Sequence, residues 1–298
     1  MVAALAALVL DGAFGEPPSA LHPVVWMGQA LRAGRRAGAG LPPRTALLAG
    51  AALVAAGGAA AWGAGALAER ALARVPGRQL ARGAVLKPAL APRALLDAGA
   101  SVETALRNGN LEEARRLLAW HLVSRDTSAL SASEVAGAAI ASLAENLCDA
   151  VVAPLLAFRV AGLPGAYLHR WLNTADAVLG YRTPELEWFG KAAARADDAA
   201  NWLPARLSAL CIVLAATCVG ADAKGAARAA LRDAGRTPSP NGGWPMSAAA
   251  GALGVRLEKR GVYVLNADGA PATVDDLRRA RRLVGVASAL ALLLAEAA

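Results

Sequence analysis

Residues 45–68 read TALLAGAALVAAGGAAAWGAGALA, from Thr45 to Ala68, without a single charge. At about 1.5 Å of rise per residue, a helix over this stretch is long enough to cross a bilayer core of about 30 Å. Gly57 and Gly58 at its centre weaken the helix but allow a neighbour to approach closely. The stretch therefore predicts a membrane-spanning helix, with a buried helix of a soluble protein as the alternative. Two further uncharged runs, Leu207–Ala221 and Leu283–Ala295, are short for full spans and suit tilted or re-entrant segments. Basic residues flank both ends of Thr45–Ala68 and of Leu207–Ala221, so charge bias assigns no orientation.

Composition agrees with this reading. Apolar residues make up 56% of the 298 residues and charged residues only 18%, against roughly 45–50% and about 25% in soluble domains. Mean hydropathy is +0.39. The expected fold is all-α: a polytopic helical membrane protein, one domain over residues 1–298, with a water-exposed helical insertion at about 69–130. The formal charge of +8 favours anionic partners such as lipid headgroups or phosphorylated substrates. Aromatic residues are only 4%, too few for stacking platforms, which argues against nucleic acid. Cys148, Cys211 and Cys218 show no metal spacing, and His22, His121 and His169 lie far apart in sequence. Residues 1–10 are apolar but lack a basic start, so they read as a retained short helix and not as a signal peptide.

Within the insertion, Pro92–Arg107 and Leu111–Leu122 read as amphipathic helices joined by Asn108-Gly109-Asn110. Ser131 with Glu134 forms a capping box for a helix over about 132–150, and Thr273 with Asp276 caps a last helix. Lys224, Arg228, Arg232 and Arg236 recur every four residues, a basic stripe suited to lipid headgroups or simply to water.

Chemistry concentrates in a few polar stations. RADDAANWLPAR, Arg195–Arg206, sets Asp197 and Asp198 one helical turn before Asn201, with a bend or restart expected at Trp202 or Pro204. Asn146 and Asp149, then Asn173 and Asp176, show the same one-turn pairing, and Glu145 precedes the first pair. Hard cations such as magnesium take oxygen ligands of this kind, whereas a solvated helix end with ordinary ion pairs is the competing reading. Ser124-Arg125-Asp126-Thr127 is a polar loop, and SPNGGWP at Ser239–Pro245 is a rigid turn before a helix that Pro245 can start. Backbone N–H groups at such a helix start can bind an anion. No G-x-x-x-x-G-K-[ST] phosphate loop occurs.

Taken in order, these stations resemble the adenosylcobinamide-phosphate synthase family, integral-membrane enzymes of cobalamin biosynthesis. The resemblance runs through DGAFGEPPSALHPVVWMG (Asp11–Gly28), SRDTSAL (Ser124–Leu130), AENLCDAVVAPLLAF (Ala144–Phe158) and NTADAVLGYR (Asn173–Arg182). It continues through AAARADDAANWLPARL (Ala192–Leu207), SPNGGWP and AGALGVRL (Ala250–Leu257). Met246 stands where the family suggests an acid, and Ala150 where it suggests glycine. The resemblance implies an ATP-dependent ligase of the cell inner membrane, multi-pass. It would join an amino alcohol phosphate, such as (R)-1-aminopropan-2-yl phosphate, to adenosylcobyric acid through an amide bond. The implied requirements are Mg2+ and ATP as substrate, with a corrinoid, the lipid bilayer and other enzymes of nucleotide-loop assembly as partners. Asp197, Asp198, Asn201 and Glu145 are then the catalytic candidates, and Asp197, Asp198 and Asp149 the metal candidates. Ser124, Arg125, Asp126, Thr127, Asn173, Asp176, Tyr181, Arg182, Arg195, Arg206, Ser239, Asn241 and Gly243 are the substrate-binding candidates. Two rival readings stand beside it: a helical membrane prenyltransferase with Asp-rich magnesium sites, and a non-enzymatic transporter whose intramembrane acids line an ion path.

Overall fold

The computed structural model describes residues 2–181 and 183–297, so Arg182 lies outside the described residues. Its helices in chain order are α1 (Val2–Phe14), α2 (Pro23–Ala37), α3 (Pro43–Leu72), α4 (Arg78–Leu86), α5 (Pro92–Arg107), α6 (Leu111–His121) and α7 (Ala132–Leu147). A π-helical turn at Cys148–Val152 leads into α8 (Ala153–Leu179). Then come α9 (Lys191–Ala200), α10 (Trp202–Val219), α11 (Ala223–Asp233), α12 (Gly243–Leu253) and α13 (Val274–Ala297). The fold is all-α as expected, with one small addition. Strands β1 (Val255–Lys259), β2 (Tyr263–Leu265) and β3 (Ala270–Pro271) form a sheet in the order β2-β1-β3, antiparallel then parallel.

Among the described residues, three helical stretches are long and apolar enough to cross a membrane: Pro43–Leu72, Ala132–Leu179 and Trp202–Val219. The chain divides into two compact units. One comprises Met1–Ala91 with Ala153–Asn201, the other Pro92–Val152 with Trp202–Ala298. Of the stretch 69–130, α4 packs with α1 in the first unit, while α5 and α6 belong to the second.

The first unit is organised by α3. Its buried residues, Ala46, Gly50, Val54, Gly58, Ala61 and Gly65, recur every three or four positions and form one narrow stripe. Small side chains there let α8 and α9 press against the α3 backbone. A Cβ at Gly57 would sit 1.9 Å from the Trp171 ring, and one at Gly50 would sit 1.9 Å from the Phe189 carbonyl oxygen. Trp171 Nε1 donates to the Val54 carbonyl at 2.9 Å, so the indole is held as well as packed. The rest of α3 turns outward with Leu48, Trp62 and Leu67 exposed, an apolar surface that water does not favour and lipid does.

Helix α8 is broken. Ala161 and Gly162 leave helical geometry, Gly162 at φ 65°, where a side chain is strained. Pro164 then opens the second half, as proline does at helix starts. Glu69 of α3 caps that start: its Oε1 accepts from the Leu163 N–H at 3.0 Å and from Arg82 Nη2 at 2.8 Å.

The second unit is organised by α7, whose residues Val135–Ala144 are all buried. Helices α5, α12 and α13 and strand β1 pack on it, and Leu143, Leu147, Ile140 and Leu257 are fully buried there. The capping box at Ser131 and Glu134 is formed, Asn110 caps α6, and Thr273 with Asp276 caps α13. The basic stripe is partly spent inside the protein. Asp233, 1% exposed, accepts from Arg232, Arg236 and the Asn266 N–H.

Candidate functional site

The first unit holds an acidic cluster where α9 meets α8. Helix α9 stops at Ala200 because Asn201 leaves helical geometry (φ −92°, ψ 0°), and the chain restarts at Trp202 with Pro204 in the new first turn. Asn201 is folded back on its own helix: its N–H donates to the Asp197 carbonyl at 2.9 Å, and its Nδ2 donates to Asp197 Oδ1 at 3.0 Å. A carboxylate only accepts, so the carboxamide oxygen faces away from Asp197. It meets His169 Nε2 at 3.0 Å. The shared face expected of Asp197 and Asn201 is therefore present, with both ends of the Asn201 amide engaged by protein. Asp198, one position on, places its carboxylate where Asp176 on α8 feels its charge. Gly180 makes room beside that group, since a Cβ there would lie 1.9 Å from Asp176 Oδ1. Asn173 accepts from Arg170 Nη1 at 3.5 Å, while Tyr181 and Arg195 are exposed.

A second polar group in this unit joins the residues of the DGAFGEPPSALH stretch. Lys87 Nζ lies 3.0 Å from Glu16 Oε2 and 3.3 Å from Asp11 Oδ1, and both Lys87 and Asp11 are buried. His22 Nδ1 accepts the Val24 N–H at 3.2 Å and so caps α2, while its Nε2 meets Glu16 Oε2 at 2.7 Å. Burial opposes ionisation of Glu16. Hydrogen bonds from His22 and Lys87, with their charge, more than offset it and hold its pKa below the ordinary glutamate value. Asp11, Glu16 and His22 stand out in the sequence as neighbours. Lys87, their cation, does not, because no local spacing links it to them.

The second unit holds a cluster richer in cations. Glu145, half-buried at the end of α7, packs its Oε1 against Gly242, where a Cβ would lie 2.5 Å away. The π-helical turn that follows carries Asp149, half-buried. Wider turns of this kind are frequent at functional sites. Tyr263 lies near both Glu145 and Arg125. Burial, then the Glu145 charge, push its phenol up to about 12, with Arg125 pulling the other way. In the Arg125 loop, Thr127 is buried and donates to the Arg115 carbonyl at 2.9 Å. Asp126 accepts the Ser128 N–H and hydroxyl, which lower its pKa, and Ser124 is exposed.

The turn before α12 is similarly built. Ser239 Oγ accepts the Asn241 N–H at 3.2 Å, and Gly243 leaves no space for a side chain beside the Ala234 carbonyl, 2.0 Å from where its Cβ would be. The helix begins at Gly243, two residues before Pro245. Arg206 lies over two indole rings, 4.1 Å from the centre of Trp202 and 4.9 Å from that of Trp244. Its Nη1 donates to the Trp202 carbonyl and to Asn241 Oδ1 at 3.3 Å. Stacking and hydrogen bonds together fix the guanidinium plane.

The chemistry of the first cluster fits a hard divalent cation. Asp176 and Asp198 offer carboxylate oxygens from two packed helices, and magnesium is commonly held by one or two carboxylates plus phosphate and water. Among the described residues no three His, Cys, Asp or Glu side chains gather to hold a metal by themselves. Sequence reasoning missed His169, Lys87 and Tyr263. Each acquires its partners from segments far away in the chain.

Residues 4–292 match the CobD/Cbib protein family. A probable cobalamin biosynthesis protein CobD of Methanothermobacter thermautotrophicus is 41% identical over 266 residues, covering 88% of this chain and 85% of the relative. The cobalamin biosynthesis protein CobD of Geobacter metallireducens is 40% identical over 286 residues, 92% and 86%. That of Mycobacterium tuberculosis is 38% identical over 312 residues, 99% and 94%. No solved structure matches the chain.

Proposed function

This chain belongs to the CobD/Cbib family of cobalamin biosynthesis proteins, and from that premise we propose that it is an ATP-dependent amide ligase. It joins an amino alcohol phosphate, such as (R)-1-aminopropan-2-yl phosphate, to the free propionate of adenosylcobyric acid. The observation that carries this reading lies in the second unit. Three segments distant in sequence, the Arg125 loop, Glu145 and the 239–244 turn, come together around Gly242 and Tyr263. A stacked guanidinium, Arg206, is hydrogen-bonded to the same turn.

A carboxylate does not condense with an amine unaided. ATP transfers its γ-phosphoryl group to the carboxylate and ADP leaves; the amine then attacks the acyl carbon, loses a proton and displaces phosphate. Fixed cations and N–H groups stabilise the charge that develops on the phosphoryl oxygens. Arg206, the start of α12 and Arg125 supply these groups. In the first unit, Asp176 and Asp198 would hold magnesium, which would supply charge neutralisation for a phosphorylated substrate. Asn201 plays a positional part, because its amide joins Asp197 Oδ1 to His169.

The decisive assay is purified protein with adenosylcobyric acid, ATP, magnesium and 1-aminopropan-2-yl phosphate, followed by mass spectrometry. Formation of adenosylcobinamide phosphate that requires ATP is the expected result. Turnover of isoprenoid diphosphates, or corrinoid flux in proteoliposomes without chemistry, in place of ligation would overturn it. We further assign the protein to the inner membrane as a multi-pass protein. Carbonate washing should leave it in the membrane pellet, and release to the supernatant would contradict the assignment.

A further inference from the structure

Helix α2 has one face against protein and one face bare. Gly28 and Leu31 are buried, with Val24 and Met27 half-buried beside them. Gly34 fits against the Leu53 side chain, and Gly38 fits against Phe189, which also meets Gly50. The second half of α2 is thus held at the first half of α3, the span candidate. On the bare side Arg32, Arg35 and Arg36 are exposed, with Arg32 and Arg36 one turn apart. Arg32 lies over Gly28, where a Cβ would stand 3.2 Å from its Nη1. Arg44, also exposed, opens α3, and the exposed Leu48 follows one turn later. Trp26 of α2 is 51% exposed, its indole fixed by donation to the Ala20 carbonyl at 3.0 Å.

Nothing in the protein neutralises these four cations. The sequence holds no acid between Glu16 and Glu69, and among the described residues Arg32, Arg35, Arg36 and Arg44 have no ion-pair partner. The elements packed on α2 do not supply one. Glu69 of α3 is bound to Arg82, and Lys87 is shared by Asp11 and Glu16. Helix α8 carries Arg159 and Arg170 against Asp176. Beside Phe189, Glu187 pairs with Lys191, and Glu185 accepts from Thr183. We propose that this surface binds the headgroup phosphate of an anionic phospholipid, with Arg32 and Arg36 as the main contacts and Arg35 and Arg44 beside them. A guanidinium fork matches phosphate oxygens, and basic segments next to a span are drawn to anionic lipid. A zwitterionic lipid brings its own cation, which unneutralised arginines repel. Leu48 below Arg44, and Trp26 on α2, offer apolar surface that acyl chains use and a soluble phosphate does not. The proposal rests on the membrane assignment above and not on the ligase reading.

Full-length protein in neutral detergent, titrated with dioleoyl phosphatidylglycerol or dioleoyl phosphatidylcholine and read by native mass spectrometry, tests the headgroup preference without turnover. The parent should bind phosphatidylglycerol at least about 10-fold more tightly than phosphatidylcholine. Arg32→Gln with Arg36→Gln should weaken phosphatidylglycerol binding by about 5-fold per arginine, about 25-fold together, and leave phosphatidylcholine binding at the parental level. Arg116→Gln with Arg256→Gln removes the same charge from two arginines already bound to Glu113 and Glu258, and should change neither. If the first double variant does not fold, the two single variants carry the test at about 5-fold each. Equal affinity for the two lipids, or an equal loss in the Arg116/Arg256 control, would overturn the proposal. So would displacement of phosphatidylglycerol by millimolar inorganic phosphate or ATP, which would give the surface to a soluble phosphate. The carbonate wash decides the membrane assignment separately, so its failure and a failed lipid preference are told apart.

Discussion

Helices α3 and α7 are both rich in alanine and glycine, yet they solve different problems. In α3 one stripe of small residues is buried and the remaining surface carries exposed Leu48, Trp62 and Leu67. In α7 ten consecutive residues, Val135–Ala144, are buried. The first is a helix with one protein neighbour side and one lipid-suited side. The second is the interior post of its unit. Their polar clusters differ in the same spirit. The unit around α3 sets carboxylates on helices, and the unit around α7 sets guanidinium groups and backbone N–H groups on turns. Small residues thus decide how closely helices approach, while the charge type of the polar clusters differs from one unit to the other.

The largest expected effect attacks α3 beside its buried stripe, at Gly57 under the Trp171 ring. Gly57→Leu drives a side chain into the Trp171 ring, 1.9 Å from its first atom, whereas a Cβ at Gly63 would meet nothing within 4 Å. Gly57→Leu should destabilise by about 3 kcal/mol or more, and Gly63→Leu by no more than about 0.5 kcal/mol. Thermal midpoints in detergent compare the two. Equal effects would show that α3 has no single packing face.

The second test asks whether the α7 unit serves the anion. Arg125→Ala should lower turnover about 100-fold, in the range for loss of one group that stabilises developing charge. The magnesium requirement and the amount of protein in the membrane should stay at parental values. The third addresses the α3 unit. Asp198→Asn should raise the magnesium needed for half-maximal activity about 10-fold, while Asp197→Asn, whose Oδ1 is engaged by Asn201, should leave that requirement at the parental value. Identical magnesium curves for Asp198→Asn and the parent would remove the proposed division of labour.

Much of the fold was legible because its signals are local. Pro92, the Asn108-Gly109-Asn110 turn, the Ser131–Glu134 box and the Thr273–Asp276 cap each fix a helix end within four residues, and the structure places α5, α6, α7 and α13 accordingly. The π-helical turn at Cys148–Val152 and the break at Gly162 were not legible. The break depends on what a neighbour supplies, as Glu69 does for the Leu163 N–H. The sheet was also missed, since β2 and β3 are too short for an alternating pattern. In the candidate site, Asp197 and Asn201 were visible from their one-turn spacing. His169 was not, because 32 residues separate it from Asn201 and only the packing of α8 on α9 joins them.

The smallest effect is a difference between the units on acidification. Glu16 in the first unit and Asp233 in the second both have pKa values below their ordinary values of 4.5 and 3.8. For Glu16, burial opposes the charge but His22 and Lys87 more than offset it; for Asp233, hydrogen bonds from Arg232 lead, against burial. A lowered carboxyl pKa means that the unfolded chain binds the proton more readily than the folded one. The stabilisation is therefore complete above the ordinary value and fades as pH falls through it toward the folded-state pKa. The Glu16 contribution should begin to fade near pH 4.5 and the Asp233 contribution only near pH 3.8. Hydrogen exchange followed by peptide mass analysis between pH 6 and pH 3.5 (about the range over which these carboxyls titrate), corrected for the intrinsic pH dependence of exchange, should show protection lost first around residues 11–25 and 87–90 and later around 230–236. Glu16→Gln should remove the early loss and leave the later one in place. Loss in the reverse order, or an early loss that survives Glu16→Gln, would mean that the Lys87 cluster does not govern the acid stability of its unit.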